Sequence, residues 1–73
     1  MNITLKDDFT SDLISGDGYD EPSETLAIRF RSNGTVYHYA GCSPAMWTAY
    51  SEAESKGKYF HQVIKKNLQG VKQ

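Results

Sequence analysis

The feature that most constrains the fold of this chain is an alternating segment followed by a turn signal. Apolar side chains occupy every second position of residues 26–31, which is the period-two pattern of a half-buried β-strand. Asn33 and Gly34 come shortly after it, and this pair favours a two-residue type I′ turn, in which both central residues need positive φ. The sequence therefore predicts a β-hairpin whose returning strand is residues 35–40.

The predicted turn also sets which side chains share a face of the hairpin. A loop formed by two residues places Phe30 opposite Tyr37 and Ile28 opposite Tyr39, and directly opposed residues lie on the same face. We therefore expect both tyrosines to face the core. A register shift by one residue would reverse this assignment. The other face of the hairpin takes Arg29, Arg31 and His38.

Two amphipathic helices are predicted after the hairpin. Ser43 is a favourable N-cap and Pro44 a favourable first helical residue, so the first helix begins there. Gly57 supplies the C-terminal stop of that helix, and the second helix runs from about Lys58 to Leu68. The apolar faces comprise Met46, Ala49, Tyr50 and Ala53 with Trp47 at the border in the first helix, and Phe60, Val63, Ile64 and Leu68 in the second.

Together these elements predict an α+β fold. It consists of a small antiparallel β-meander of about three strands, packed on one face by two C-terminal α-helices. The chain has 73 residues, of which 38% are hydrophobic, so it forms one domain with a thin core. We assign residues 1–10 to a flexible lead or short edge strand, residues 11–69 to the domain and residues 70–73 to a tail.

The composition excludes several classes of site. Cys42 is the single cysteine, which excludes an internal disulfide and favours a reducing compartment, the cytoplasm. His38, Cys42 and His61 lack the spacing of a zinc site, and no phosphate-loop pattern is present, so we predict no metal and no cofactor. No apolar run is long enough to span a membrane, so we predict no membrane partner.

One catalytic arrangement can be drawn from the sequence. Cys42 precedes a predicted helix N-terminus, where the helix dipole lowers a thiol pKa, and His38 is four residues upstream, so the two are candidates for a nucleophilic pair. A small apolar plug between sheet and helix is the simpler interpretation, because free cysteines are among the most buried residues. No oxyanion hole or orienting carboxylate accompanies the pair, so we predict that the chain is not an enzyme.

The run Val36–Pro44 resembles the Y-x-Y core and following G-x-P-P of the KTSC domain family. This family takes its name from the C-terminal extension of some lysyl-tRNA synthetases, and it also occurs as short stand-alone bacterial and phage proteins. Shorter matches extend the resemblance over residues 11–66, at Gly18–Asp20, Leu26–Phe30, Ala53, Ser55–Phe60 and Ile64. The residues on the family motif are Tyr37, Tyr39, Gly41, Pro44, Gly57 and Phe60.

Four positions depart from the family pattern. Cys42 stands where an aliphatic residue is usual, which agrees with a buried plug, and Ser43 replaces the first proline. His61 stands where asparagine is common, and Asp17 where an apolar residue is common. The resemblance implies a β-rich front with two helices behind it, no known activity, and an RNA-binding role by association with the synthetase. For a phage-encoded member, the expected location is the host cytoplasm.

The charge distribution leaves two kinds of partner open. Residues 1–36 carry seven acidic and three basic residues, whereas residues 37–73 carry five lysines and two glutamates, which indicates a two-faced surface. We expect a small non-catalytic binding module, and the resemblance favours RNA or tRNA, contacted through its phosphates. The alternative is a protein-protein adaptor, or a phage-encoded inhibitor of a host or defence protein, acting through the acidic face. Homodimerisation would also reinforce the thin core. The predicted nucleic-acid contacts are Arg29, Arg31, His38, Lys58, Lys65 and Lys66.

Overall fold

Within residues 3–73, the part of the chain described by this computed structural model, five antiparallel strands form one sheet. The strands are β1 (Lys6–Asp7), β2 (Ile14–Asp20), β3 (Thr25–Phe30), β4 (Val36–Ala40) and β5 (Gly70–Lys72). They lie side by side in the order of the chain, and the helices come between β4 and β5. The α+β class and the antiparallel meander are confirmed, whereas the sheet has five strands rather than three.

The two additional strands form the edges of the sheet. β1 lies in residues 1–10, which we assigned to a flexible lead or a short edge strand, and it pairs with β2. Met1 and Asn2 fall outside the described residues. β5 lies in residues 70–73, where we expected a tail, and pairs Gly70 with Tyr39 of β4. A Cβ atom at Gly70 would be 2.6 Å from the Tyr39 ring. β5 can therefore approach β4 only because this position has no side chain.

The hairpin between β3 and β4 has a longer loop than predicted. The loop spans residues 31–34, and the Phe30 N–H donates to the Thr35 oxygen at 2.9 Å. The predicted type I′ turn is wrong, because Gly34 has a φ of 70° whereas Asn33 does not adopt a positive φ. The Asn33 Oδ1 instead accepts a hydrogen bond from the Thr35 N–H at 3.0 Å, which stabilises the wider loop.

The longer loop shifts the register by two residues and leaves the assignment of faces intact. Tyr37 lies opposite Ile28, and Tyr39 lies opposite Leu26. Because side chains alternate with a period of two, an even shift keeps each residue on its predicted face. Tyr39 is buried, with 5% of its surface exposed, and Tyr37 is half-buried against the same core. The prediction that both tyrosines face the core is confirmed.

The first helix, α1, spans Pro44–Ser51 and starts as predicted. The Ser43 side chain accepts a hydrogen bond from the Met46 N–H at 3.2 Å, which satisfies one of the free N–H groups of the first turn. The helix ends well before Gly57, and Ala49, which we assigned to its apolar face, is exposed. The apolar face of α1 is therefore narrower than the sequence spacing predicts.

The second helical segment begins earlier than predicted and is not α-helical throughout. It comprises α2 (Lys56–Tyr59), a π-helical turn (Phe60–Ile64) and α3 (Lys65–Asn67). Ser55 is its N-cap and accepts a hydrogen bond from the Lys58 N–H at 3.3 Å. Gly57 therefore lies inside this segment, and its prediction as the stop of the first helix is wrong. A Cβ atom at Gly57 would make an ordinary contact with the Leu13 Cβ at 3.4 Å.

One hydrophobic core lies between the sheet and the helices. Trp47 stacks on Tyr19 with ring centroids 5.3 Å apart, and Phe60 meets Tyr39 edge to face, also at 5.3 Å. The buried residues of this core are Ile14, Leu26, Ile28, Tyr39, Cys42, Tyr50, Phe60 and Ile64. Aromatic contacts of this kind stabilise beyond the area that they bury, and here they join β4 to the second helical segment.

The connection from β4 to α1 depends on Gly41. Its φ of 84° lies in the left-handed region, which costs a residue with a Cβ roughly 1–2 kcal/mol. We expect Gly41→Ala to lower the free energy of unfolding by about that amount, measured by urea denaturation. Gly57→Ala is the matched control, because alanine in a helix is favoured over glycine by about 0.5–1 kcal/mol. Equal losses in the two variants would contradict this explanation.

Candidate nucleic-acid interface

Arg29 is engaged within the protein. Its Nε donates to the Ser15 Oγ at 2.9 Å, and its Nη2 donates to the Ser15 carbonyl oxygen at 2.9 Å. The same Nη2 forms an ion pair with the Asp7 carboxylate. A Cβ atom at Gly16 would be 2.8 Å from this nitrogen, so the guanidinium crosses the outer face of β2 where a glycine leaves room. Arg29 therefore links β1 to β2, and it could bind a phosphate only by giving up its contacts with Asp7 or Ser15.

Arg31 has a similar structural role. Its Nε donates to the Ser11 carbonyl oxygen at 3.0 Å, and its Nη2 donates to the carbonyl oxygens of Ile14, at 3.2 Å, and Asp8. Asp8 and Ser11 lie between β1 and β2, and Ile14 is the first residue of β2, so these hydrogen bonds order the connection between the two strands. The two arginines that we predicted as nucleic-acid contacts thus hold the N-terminal part of the fold together.

His38 lies on the outer face of the sheet, opposite Ala27 on β3 and Val71 on β5. It is half-buried, and burial lowers the pKa of His38 below its usual 6.5, because a desolvated imidazole resists protonation. The ring is therefore neutral near pH 7 and adds no positive charge to this face.

A groove runs between β4 and the end of the second helical segment. One part of it, about 540 Å³ in volume, is lined by Tyr37 and Tyr39 on one side and by residues 65–70 on the other. A second hollow of about 390 Å³ shares Tyr37, Tyr39 and Lys65 with the first and reaches the tip of the β3–β4 hairpin. The shared residues join the two hollows into one surface. We call this surface the tyrosine groove, defined by Tyr37, Tyr39, His61, Lys65 and Lys66.

The two tyrosines differ in what they present to this groove. Tyr39 is buried between Gly70 and the edge-to-face ring of Phe60, and burial raises the pKa of its phenol. Tyr37 is half-buried, lies 6.4 Å from the Tyr39 ring centroid, and meets Phe30 edge to face at 5.6 Å. Tyr39 therefore forms the floor, while Tyr37 is the aromatic ring that remains open to a ligand.

The structure brings some of the predicted contacts together and separates others. Lys65 and Lys66 are exposed beside Tyr37, whereas Lys58 lines a separate hollow of about 480 Å³ with Tyr59. His61, which we did not assign to the site, lines the tyrosine groove with Lys65. His61 and Lys65 are four residues apart in an amphipathic segment, and residues at this spacing share a helix face. This spacing could have assigned His61 to the site from the sequence.

A buried ionic cluster lies away from the groove and consists of Asp8, Asp17, Tyr50 and Lys56. The Lys56 Nζ is 3.0 Å from Asp8 Oδ2 and 3.4 Å from Asp17 Oδ2, and the Tyr50 hydroxyl donates to Asp17 Oδ2 at 2.9 Å. Burial opposes the charge on Lys56, but the two carboxylates outweigh it and raise the pKa of Lys56 above 10.5. Burial, with Asp17, raises the pKa of Tyr50. A lysine held protonated in this way acts as a structural countercharge, not as a nucleophile.

Cys42 and His38 are not brought together as a catalytic pair. Cys42 is fully buried in the core, and burial raises the pKa of its thiol to about 11, whereas His38 is on the outer face of the sheet. This agrees with the interpretation of Cys42 as an apolar plug. Among residues 3–73, no cluster of histidine, cysteine and acidic side chains is arranged to hold a metal ion. No helix in the same range has the length and apolar character needed to cross a membrane.

An antiparallel meander covered on one face by a capped α-helix and a helix with a π-helical turn defines a small α+β domain. Residues 10–67 match the KTSC domain, and the chain belongs to the KTSC domain family. The resemblance noted in the sequence is thereby confirmed.

Two relatives show how far the similarity extends. The chain is 40% identical over 48 residues to an uncharacterized protein of Stutzerimonas stutzeri (strain A1501), covering 66% of each chain, just under two thirds of that relative's length. It is also similar to the crystal structure of a KTSC domain protein from Yersinia pestis, with a TM-score of 0.89, 30% identity and 99% of each chain covered. The edge strands and both helical segments therefore lie within the part of the chain that this structure matches.

Proposed function

We propose that this KTSC domain is a non-catalytic module that binds single-stranded RNA, such as the unpaired segments of tRNA, in the tyrosine groove, and that it acts in the cytoplasm. The observation that carries the proposal is the half-buried ring of Tyr37, which lines the same groove as Lys65 and Lys66. Bases stack on accessible aromatic rings, and lysines neutralise the phosphates that join them. The groove combines both groups, as binding of single-stranded RNA requires.

The other cations that we predicted as nucleic-acid contacts differ in whether they are available to bind phosphate. Lys58 is exposed on the same helical segment beside Tyr59, so it is a further phosphate contact for a longer strand. Arg29 and Arg31 are engaged with Asp7 and with backbone oxygens, and they support the fold more than the ligand. The proposed contacts are therefore concentrated on the helix and β4.

The acidic face has less support as the binding surface for an adaptor or a phage-encoded inhibitor. Three of its seven carboxylates have an internal cationic partner, because Asp7 is paired with Arg29 and Asp8 and Asp17 share the ammonium group of Lys56. Carboxylates that already have an internal partner add little attraction for a basic protein surface. RNA in the tyrosine groove is accordingly the function that the geometry supports best.

Fluorescence anisotropy with a labelled oligouridine tests this proposal. We expect Lys65→Ala to weaken binding several-fold at low salt and to lower the salt slope of log K by about 0.7, because one phosphate contact is lost. Tyr37→Leu is expected to weaken binding by a factor of about 5 to 160, since stacking contributes roughly 1–3 kcal/mol per base. Lys6→Ala on β1 is the matched control, with the same change of charge at the opposite edge of the sheet. Binding that does not depend on salt, or equal effects of the two lysine substitutions, would refute the proposal.

A further inference from the structure

Phe9 projects into solvent from a loop that is held in place, and 86% of its surface is exposed. On one side, the Asp8 N–H donates to the Ser15 oxygen at 2.9 Å, and the Asp8 carboxylate is bound by Lys56. On the other side, the N–H and hydroxyl of Thr10 donate to Asp8 Oδ1 at 2.8 and 2.7 Å. The backbone around Phe9 has therefore already lost its freedom, so binding through this ring requires little further ordering.

An acidic cleft lies beside Phe9. It has a volume of about 280 Å³ and is lined by residues 10–13 and 53–57, so it begins at Thr10, the next residue in the chain. Asp12 and Glu54 both line it, and their carboxylates form no ion pair within the described part of the chain. Lys56 also lines the cleft, but its ammonium group is already paired with Asp8 and Asp17. The partner of this surface must therefore present an apolar pocket for Phe9 and positive charge for the cleft.

The chain itself has a pocket with this chemistry. The 390 Å³ hollow of the tyrosine groove is lined by the rings of Phe30, Tyr37 and Phe60, and Lys65 and His61 are at its rim. A hollow of this size is large enough for one phenyl ring. The basic rim of this hollow complements the acidic cleft. Every copy of the protein therefore carries both of the surfaces that such a contact would need.

The two surfaces are adjacent in the fold. Leu13 lines both the acidic cleft and the hollow of the tyrosine groove, so the two hollows are joined through this residue. A two-fold symmetric dimer requires that each subunit present both complementary surfaces on one side. Because Leu13 lines both hollows, the acidic cleft and the tyrosine groove are next to each other, which meets this condition. Each copy can then bind the other in the same way, and the assembly is complete with two copies.

We propose that two copies of this chain associate by exchanging Phe9, with the ring of each copy inserted into the tyrosine groove of the other. Asp12 and Glu54 of each copy then face Lys65 of its partner. Because the groove is also the proposed RNA site, self-association and RNA binding exclude each other. This last point rests on the proposed function, whereas the association itself does not.

Sedimentation velocity of the full chain without RNA tests the association. We expect the mass to rise from one chain toward two between about 10 µM and about 1 mM, because small interfaces bind weakly. Phe9→Ala is expected to weaken the dimer at least about thirty-fold, as loss of an aromatic anchor does. Val71→Ala, at another exposed apolar side chain, is the matched control and leaves the dimer unchanged. A single-chain mass at every concentration, or an unchanged dimer in Phe9→Ala, would overturn the proposal.

Charge reversal tests the pairing of the two surfaces. The double variant Asp12→Lys/Glu54→Lys and the single variant Lys65→Asp each place like charges across both contacts, so each of these two proteins is expected to remain a monomer. In an equimolar mixture, the two variants form one native contact and one with the charges reversed, so we expect the mass of a dimer. A mixture that stays monomeric would contradict the proposed pairing.

An RNA measurement separates this proposal from the function on which its last point rests. At concentrations where the native chain is mostly dimeric, Phe9→Ala is expected to bind a larger fraction of the oligouridine probe, because its groove is free. A smaller bound fraction would overturn the competition. If neither protein binds the probe while the sedimentation results hold, the proposed function fails and the dimer stands.

Discussion

Lys56→Met is expected to lower the free energy of unfolding by about 3–5 kcal/mol at pH 7, the cost of leaving buried charges without a partner. The substitution removes the ammonium group between Asp8 and Asp17, whose side chains are only 5% and 7% exposed. Urea denaturation followed by the fluorescence of Trp47 measures the change. Lys58→Met is the matched control, because Lys58 is exposed on the same helix, and a change within about 0.5 kcal/mol is expected there.

The pH dependence of this effect identifies its cause. In the native protein, burial alone would raise the pKa of Asp8, but hydrogen bonds from Thr10 and the charge of Lys56 hold that pKa well below 3.8. A carboxyl whose pKa is lowered by folding stabilises the protein above pH about 4, and this contribution is lost as the pH falls toward the folded-state pKa.

Without Lys56, burial is opposed less and the pKa of Asp8 rises. Protonation of Asp8 then relieves the variant as the pH falls, so the difference in stability between the native protein and the variant is expected to narrow toward acid pH. Adding Asp8→Asn and Asp17→Asn to Lys56→Met is expected to recover part of the loss at neutral pH. A gap that stays constant from neutral to acid pH would show that the loss comes from packing rather than from charge.

Phe60→Ala is expected to have the second large effect, a loss of about 3–5 kcal/mol in the free energy of unfolding. Phe60 is 1% exposed and meets the rings of Phe30 and Tyr39 at centroid distances of 5.5 and 5.3 Å. Removing its ring leaves a cavity at the point where two strands contact the helical segment. Val63→Ala, half-buried in the same π-helical turn, is the control and is expected to cost about 1 kcal/mol. Equal losses would show that the Phe60 ring is not central to the core.

The elements marked by side-chain patterns were predictable from the sequence. The alternation in β3 and the Ser43 cap of α1 are local signals, and each requires only neighbouring residues. β1 and β5 gave no such signal, because strands of two and three residues are defined by backbone pairing with β2 and β4. Gly57 was misassigned because the sequence does not distinguish a glycine that ends a helix from one in the first turn of a helix. The structure distinguishes them, since Ser55 caps the second helical segment just before Gly57.

The candidate site was predictable only in part. Lys65 and Lys66 were recognisable as exposed helix cations, since no carboxylate within residues 3–73 forms an ion pair with them. The partners of Arg29 and Arg31 are 14 to 23 residues away, and Lys56 reaches Asp17 across 39 residues. Contacts at such separations arise from the tertiary fold, and periodicity contains no information about them. For this reason the acidic residues of positions 1–36 appeared as one free surface, although Asp7, Asp8 and Asp17 have internal partners.

The observed β3–β4 pairing differs from the predicted one by two residues. This difference bears on how the length of the β3–β4 hairpin can vary in this family. Since the pleat repeats every two residues, gaining or losing a pair of residues at the hairpin tip leaves Tyr37 and Tyr39 inward. A change that shifted the pairing by one residue would turn both rings outward unless a β-bulge absorbed it, as one does between Ile14 and Gly16 on β2. Changes in length at the tip are therefore compatible with this core when the loop takes them up, when they shift the pairing by an even number of residues, or when they carry their own bulge.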